Sequence, residues 1–383
     1  MTEARRQLRV LHLASFAGNI GDIANHAGAR AMFAEHLPFD MQFTELEIRE
    51  FYWRQRAFDA DFVRWANTFD LLIIGGGNYF ELWVTRSATG TSIDIEPELF
   101  SQLTVPTLFY SLGVDIGQGY TTETAARFKR FMDTILESPR AFVCVRNDGS
   151  SRALGTVLGA AYREAVPVMP DGGFFLPVPE SAASSSGPRI TVNLAGDMLD
   201  QRFRAEGARG RAVNAVAAAC IAAAERDRAL RLHLVPHIWR DVAFLGELLE
   251  AIPDALRRRQ VVVSALDSSV RGLGEFVRTY SESSVVLGMR FHANVCPIGM
   301  TVPTLGLVCY PQVALLYDEL GLQDRALDTS AEDFGDRLDE QLTRSLVEPD
   351  AVRSRLAFLR TEVRQSGVRV LGAIARWLDA CKV

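Results

Sequence analysis

Leu8-Arg9-Val10-Leu11-His12-Leu13-Ala14 is an apolar run of strand length, and after the turn Ser15-Phe16-Ala17-Gly18-Asn19-Ile20-Gly21 the chain enters a segment of helical period at 22–36. The same alternation recurs at 71–74, at 107–111 followed by 121–137, and at 142–145. Strands that alternate with helices read as βαβ units on a parallel sheet. The pattern stops at Pro177-Val178-Pro179-Glu180-Ser181-Ala182-Ala183-Ser184-Ser185-Ser186-Gly187-Pro188, which has the composition of a linker. It resumes with 189–194, a helix at 208–226 and apolar runs at 230–235, 260–263, 284–287 and 304–308. A long amphipathic segment, 350–381, follows Glu348-Pro349.

The expected fold class is therefore α/β and GT-B-like. Two Rossmann-like parallel-sheet domains, 1–178 and 188–348, face a cleft, and a C-terminal helix over 350–383 packs back across them. Parallel sheets bind ligands outside the carboxyl ends of their strands. Two facing sheets place the site in the cleft, so the informative residues are the polar ones just after each strand.

Composition removes several function classes. The chain has 383 residues, 48% of them hydrophobic, and a net charge of −6. No run reaches the roughly 18 apolar residues of a membrane span, and the N-terminus lacks a leader-like apolar core, so the chain reads as cytoplasmic. The mild acidity argues against nucleic-acid binding. Lys129 and Lys382 are the only lysines, and neither sits where a phosphate loop or a Schiff base needs one. Cys144, Cys220, Cys296, Cys309 and Cys381 show no metal-site spacing. No metal and no cofactor are expected.

After the first strand, Gly18, Asn19 and Asp22 open a helix. Two glycines before a helix N-terminus suit an anion, and a tight turn capped by Asp22 fits equally well. Gly75-Gly76-Gly77-Asn78 ends the strand at 71–74 as either a ligand wall or a plain domain contact. Arg146 follows 142–145, where a guanidinium fork suits a carboxylate or phosphate, and where an arginine paired with a carboxylate of its own domain is the alternative. Pro170-Asp171 follows another short apolar run, and Pro236-His237, with Asp241 beyond it, ends 230–235. His237 reads as a hydrogen-bond donor to the cleft or as a structural histidine. In Gly288-Met289-Arg290-Phe291-His292, a strand gives way to a helix with two charged groups two apart. In an extended turn they project together, so a cation and an acid/base group face the cleft.

Taken together, Gly18-Asn19-Ile20-Gly21-Asp22, Gly75-Gly76-Gly77-Asn78, Arg146 with Ser150, Pro170-Asp171, Pro236-His237 and Arg290-Phe291-His292, followed by Gly299, Pro303 and Tyr310, resemble the polysaccharide pyruvyl transferase family. Asn147 stands where the family usually has Asp, and Phe291 where it has Leu. The resemblance implies transfer of a pyruvyl group from phosphoenolpyruvate, a co-substrate rather than a cofactor, to two hydroxyls of a sugar, giving a cyclic ketal. The acceptor it implies is a surface polysaccharide or its lipid-linked precursor, met at the inner face of the membrane. Arg290 and Arg146 would hold the donor, each charge-assisted hydrogen bond contributing about 1.5–3 kcal/mol. His292 would be the general acid, since a histidine with an ordinary pKa of about 6.5 donates a proton near neutral pH. The second domain would bind the donor and the first the acceptor, through the loop residues above, with Tyr79, Phe80, Trp83 and Trp239 as candidates to stack on the sugar.

Two other readings share these features. A GT-B glycosyltransferase would use the same cleft for a nucleotide sugar. A non-catalytic glycan-binding protein would keep the fold without needing Arg290 or His292, and the intact Arg-x-His pair argues against it.

Overall fold

The apolar runs become strands buried on both faces, as a parallel sheet covered by helices requires. In the computed structural model, which describes residues 5–178 and 187–383, the strands in chain order begin with β1 (Arg6–Ala14), β2 (Phe39–Glu47) and β3 (Leu71–Gly75). They continue with β4 (Phe80–Glu81), β5 (Thr107–Leu112), β6 (Val114–Asp115) and β7 (Ala141–Val145). After the proline- and serine-rich stretch come β8 (Arg189–Asn193), β9 (Arg231–Leu234), β10 (Val261–Val263), β11 (Val285–Gly288), β12 (Thr304–Val308) and β13 (Ala326–Asp328). Most of the expected linker, 179–186, lies outside the described residues.

Five strands form a parallel sheet of order β2-β1-β3-β5-β7, and six form another of order β10-β9-β8-β11-β12-β13. β4 and β6 pair separately, with Glu81 opposite Asp115. The first sheet reverses direction of winding between β1 and β3, the second between β8 and β11. Those reversals are where the loops at the carboxyl ends part and leave room for a ligand.

The chain divides into two compact units. The first holds β1 up to Phe16, 29–172 and the chain from Val363 onward; the second holds 17–28 and 173–362. The division thus falls at Gly172, and the turn after β1, read from sequence as part of the first domain, belongs to the second unit. The reason is apolar contact: Ile20, Ile23 and Ala24 pack with Val235, Phe276, Tyr280, Val286 and Ala293. The Ile20 N–H also donates to the His237 carbonyl at 3.2 Å. The long helix Pro349–Ala380 is shared. In the second unit Arg355 pairs with Asp324 at 2.9 Å; in the first, Trp377 donates to the Pro139 carbonyl at 3.1 Å and its ring meets Phe142.

Each unit has its own core. In the first, Leu11, Leu13, Ile74 and Phe109 of the sheet pack with Phe80, Phe128 and Phe131. In the second, Ile190, Val192, Leu232, Leu287 and Leu305 pack with the small side chains of the helix Ala208–Arg226.

Candidate active site

In the second unit, β8 and β11 flank the winding reversal, and the residues just beyond them build a locked turn. Asn193, fully buried at the end of β8, accepts from the Arg290 N–H at 3.0 Å and donates to the Val235 carbonyl at 2.9 Å. Asn294, also fully buried, donates to the carbonyls of Gly288 and Arg290 at 3.0 and 2.8 Å and accepts from the Tyr317 hydroxyl at 2.8 Å. These bonds fix the backbone from which Arg290 projects.

The Arg290 guanidinium makes a bidentate pair with Asp241, Nε to Oδ2 at 2.7 Å and Nη2 to Oδ1 at 2.6 Å, and Nη2 also reaches Asp197 Oδ1 at 2.7 Å. Asp241 is fully buried and accepts in addition from the N–H groups of Gly196, His237 and Ile238 at 2.9, 2.9 and 3.2 Å. Burial by itself pushes the Asp241 carboxyl up. The bonds and charge of Arg290, then the backbone donors, outweigh it and hold the group below the usual carboxylate range.

The extended turn expected at Phe291 is helical instead, with φ −51° and ψ −54°, and His292 is the first residue of the helix His292–Gly299. Arg290 and His292 therefore engage different partners rather than projecting together. His292, 6% exposed, lies against the first turn of the helix Ile20–His36, with Nδ1 3.8 Å from Asp22 Oδ1. A Cβ on Gly21 would stand 2.7 Å from both Cβ and Nδ1 of His292, so the ring occupies space that only glycine leaves. Asn19, not Asp22, caps this helix: its Oδ1 accepts from the Gly21 N–H at 3.0 Å. Its amide donates to Asp22 Oδ1, also at 3.0 Å, so Asp22 is held facing His292. Gly18 has φ +80° and open space around it. His237, read as a donor to the cleft or as structural, takes the second role. It is fully buried, shares a 2.7 Å hydrogen bond with the Tyr280 hydroxyl, and burial drives its pKa down to about 3.

In the first unit Arg146 is 3% exposed, with Nε and Nη2 both 2.8 Å from Asp148 and Nη1 3.5 Å from Asp171. Ser150 donates to Asp148 and accepts from the Val114 N–H at 2.8 Å, while Asn147 accepts from the Asp171 N–H at 3.0 Å. The helix Ser150–Leu158 that follows is preceded at its N-cap by Gly149 in a left-handed conformation. Gly113 makes room for the cluster, since a Cβ there would stand 2.2 Å from Asn78 Oδ1 and 2.9 Å from Arg146 Nη2. Gly76 donates to the Tyr110 carbonyl at 2.8 Å and Gly77 accepts from the Gly113 N–H at 2.9 Å, so both serve backbone contacts. Asn78 donates to Asp115 at 3.2 Å. Glu81, opposite Asp115, is pushed up to about 7, chiefly by burial, with Asp115 adding to the rise and the Ser92 hydroxyl opposing it.

The stacking candidates separate by burial. Phe80 lies in the core and Tyr79 is buried with its hydroxyl accepting from the Ser15 N–H at 2.8 Å, so neither offers a ring face; Trp83 and Trp239 are exposed. Asn193, Asp197, Asn294, Gly113 and Glu81 escaped the sequence reading. Asn193 lies within the run 189–194 and Asp197 three residues beyond it, and closeness to the end of that run was their signal. Among the described residues no group of three or more His, Cys, Asp or Glu is placed to hold a metal ion, and no helix is long and apolar enough to cross a membrane.

Comparison with solved structures shows the fold. UDP-GlcNAc 2-epimerase from Neisseria meningitidis, solved bound to UDP-GlcNAc, is similar with a TM-score of 0.56 at 10% identity, over 96% of this chain and 100% of that one. The UDP co-structure of MnaA from S. aureus gives 0.53 at 9% identity, over 91% and 90%. A glycosyltransferase from Rickettsia africae gives 0.51 at 11% identity, over 97% and 98%. These likenesses bear out the GT-B-like α/β class. Among curated protein sequences none gives a significant match. Residues 19–309, which include Asn19, Arg146, His237, Arg290 and His292, match the family described as polysaccharide pyruvyl transferase. The chain belongs to the polysaccharide pyruvyl transferase family of enzymes.

Proposed function

We propose that the enzyme transfers the pyruvyl group of phosphoenolpyruvate to two hydroxyls of a sugar in a surface polysaccharide or its lipid-linked precursor, with His292 as general acid. The observation that carries this reading is the construction around β11. A rigidly bonded guanidinium and a histidine shaped by Gly21 emerge within three residues, at the winding reversal of the sheet. Arg290, whose Nε and Nη2 edge is held by Asp241, is assigned to the donor's carboxylate or phosphate through the rest of its guanidinium. His292 gives a proton to the methylene carbon, which becomes the methyl group. The adjacent carbon, left cationic, takes a bond from the first sugar hydroxyl, and that hydroxyl's proton leaves. The second hydroxyl then closes the ring as the carbon–oxygen bond to phosphate breaks, and one of the released protons restores His292. Products are the ketal and inorganic phosphate, and no oxidant or reductant is involved.

Arg146 is assigned to substrate binding by the first unit, as are Gly18, Asn19 and Asp22 by the second, and Asp171 holds the Arg146 guanidinium. Gly76, Gly77 and Asn78 shape the loop after β3 and are assigned to the acceptor side. His237 is assigned to support, through Tyr280 and the Ile20 N–H. Association with the inner face of the membrane follows only if the acceptor is lipid-linked.

Phosphate release from phosphoenolpyruvate in the presence of acceptor tests the assignment. His292→Ala should retain donor binding and lose about 10²–10⁴-fold in turnover, the usual worth of a positioned general acid. Turnover within a few-fold of the parent removes His292 from the role. A nucleotide sugar bound in place of phosphoenolpyruvate would favour the glycosyltransferase reading.

A further inference from the structure

Arg290 shares Asp197 with a second guanidinium. Arg202 Nη2 lies 3.1 Å from Asp197 Oδ1, the same oxygen that Arg290 Nη2 reaches at 2.7 Å. Both arginines are nearly buried, their side chains 10% and 11% exposed. Arg202 is held from behind, its guanidinium 4.4 Å from the Tyr310 ring centroid and its Nη1 3.9 Å from Cys309 Sγ. Cys309 and Tyr310 directly follow β12, so Arg202 stands at the carboxyl end of the sheet beside β11. Nothing in the sequence marks it, in a chain whose basic residues are nearly all arginine.

The two carboxylates facing this pair differ in kind. Asp241 is fully buried, bidentate to Arg290 and bonded to three backbone N–H groups, and is a fixed part of the fold. Asp197 is 20% exposed, and its bonds run through one oxygen to the two guanidiniums. It sits in the segment between β8 and the short helix Leu199–Arg202, next to Met198, which holds a left-handed conformation at φ +52° that is strained for a residue with a side chain. One anionic oxygen within reach of an Nη2 from each of two arginines is a contact that a phosphate or carboxylate oxygen of a ligand can make equally.

We propose that Arg202 is a second anion-binding residue beside Arg290, and that Asp197 stands where an anionic oxygen of the ligand bridges the two and is displaced by it. With Asp197 swung out, two guanidiniums face one fixed carboxylate, and the net positive charge matches an anion. The proposal rests on the reading given above for the identity of that anion, the donor's phosphate or carboxylate, but not for the existence of the site.

Calorimetric titration of the full chain with phosphoenolpyruvate, and separately with inorganic phosphate, tests it on the parent, Arg202→Gln, Arg202→Lys and Asp197→Asn. Arg202→Gln should weaken phosphoenolpyruvate at least about tenfold, the worth of one lost charge-assisted bond. Arg202→Lys should recover part of this, and Asp197→Asn should bind as tightly as the parent or more so. Parent-like affinity in Arg202→Gln overturns the proposal and leaves the donor reading standing. Asp197→Asn weakened as much as Arg202→Gln also overturns it, because Asp197 is then a support rather than a stand-in. Should Arg202→Gln fail to fold, Arg202→Lys and Asp197→Asn decide the matter by the same criteria. Inorganic phosphate bound in an Arg202-dependent way without phosphoenolpyruvate supports the site and removes the donor reading; a parent that binds neither overturns the proposal.

Discussion

Gly21 and His292 show how a residue with no side chain can set the position of one that has. The imidazole rests where a Cβ of residue 21 would be, and Asp22 faces its Nδ1. Gly21→Ala must push the ring aside, and a displacement of about 1 Å is enough to cost roughly 10²-fold in a positioned reaction. The expected result is that loss in turnover, with phosphoenolpyruvate affinity within about threefold of the parent, read by phosphate release and calorimetry on one preparation. Affinity and turnover falling together would mean that residue 21 contacts the donor. Arg290, His292, Arg146 and Asp171 were legible in the sequence as polar residues after apolar runs. Their partners were legible only in part: Asp241 stood four residues beyond His237, while Arg202 is one of many arginines and gains meaning only through Asp197.

At the scale of elements, what the sequence shows best is burial on both faces. β3, β5 and β12 are continuous apolar runs and fall within a residue of where periodicity puts them. β2 is different, an edge strand whose Phe39, Met41 and Phe43 alternate with Asp40, Gln42 and Thr44. Its period of two was present but short of the apolar runs that drew the reading. The turn from β11 to the helix His292–Gly299 was misjudged as extended because side-chain spacing carries no information on φ and ψ. Asn294 settles the geometry, by bonding two carbonyls of the turn and the Tyr317 hydroxyl. Asn294→Ala leaves these three groups without their partner, and should destabilise the protein by about 2–4 kcal/mol in a urea melt. A cost below 1 kcal/mol would show that the turn holds itself. The small unit β4 with β6 and the three-residue β13 were too short to be read.

For the whole molecule, the division of the chain explains why domain boundaries read from composition shifted. A linker-like stretch marks where the chain is polar, not where contacts divide, and the apolar face of Ile20, Ile23 and Ala24 commits the turn after β1 to the second unit. Buried titrating groups make a prediction at this scale. Burial, with Arg189 adding to it, lowers His233 to about 4, and burial lowers His237 to about 3. Both are neutral in the folded protein and take up protons on unfolding below about pH 6.5, so their stabilising effect is present above that pH and lost on acidification. Glu81, raised to about 7, acts oppositely: it holds a proton when folded that it releases on unfolding, and its effect is lost as pH rises through 7. Between pH 5 and 6 these two histidines outweigh this carboxyl, and the three together should make stability rise by about 1.4 kcal/mol per pH unit, the value of one net proton. Glu81→Gln removes the opposing group and should roughly double that slope in urea melts across this range. A slope unchanged by Glu81→Gln would mean that Glu81 is ionised in the folded protein.

The central claim, that the residues around β11 bind phosphoenolpyruvate, is tested most directly by calorimetric titration of that compound and a panel of nucleotide sugars into the parent and Arg290→Ala. The account predicts that the parent binds phosphoenolpyruvate and that Arg290→Ala weakens it at least about tenfold. Binding of nucleotide sugars alone, or phosphoenolpyruvate bound equally well without Arg290, would contradict it.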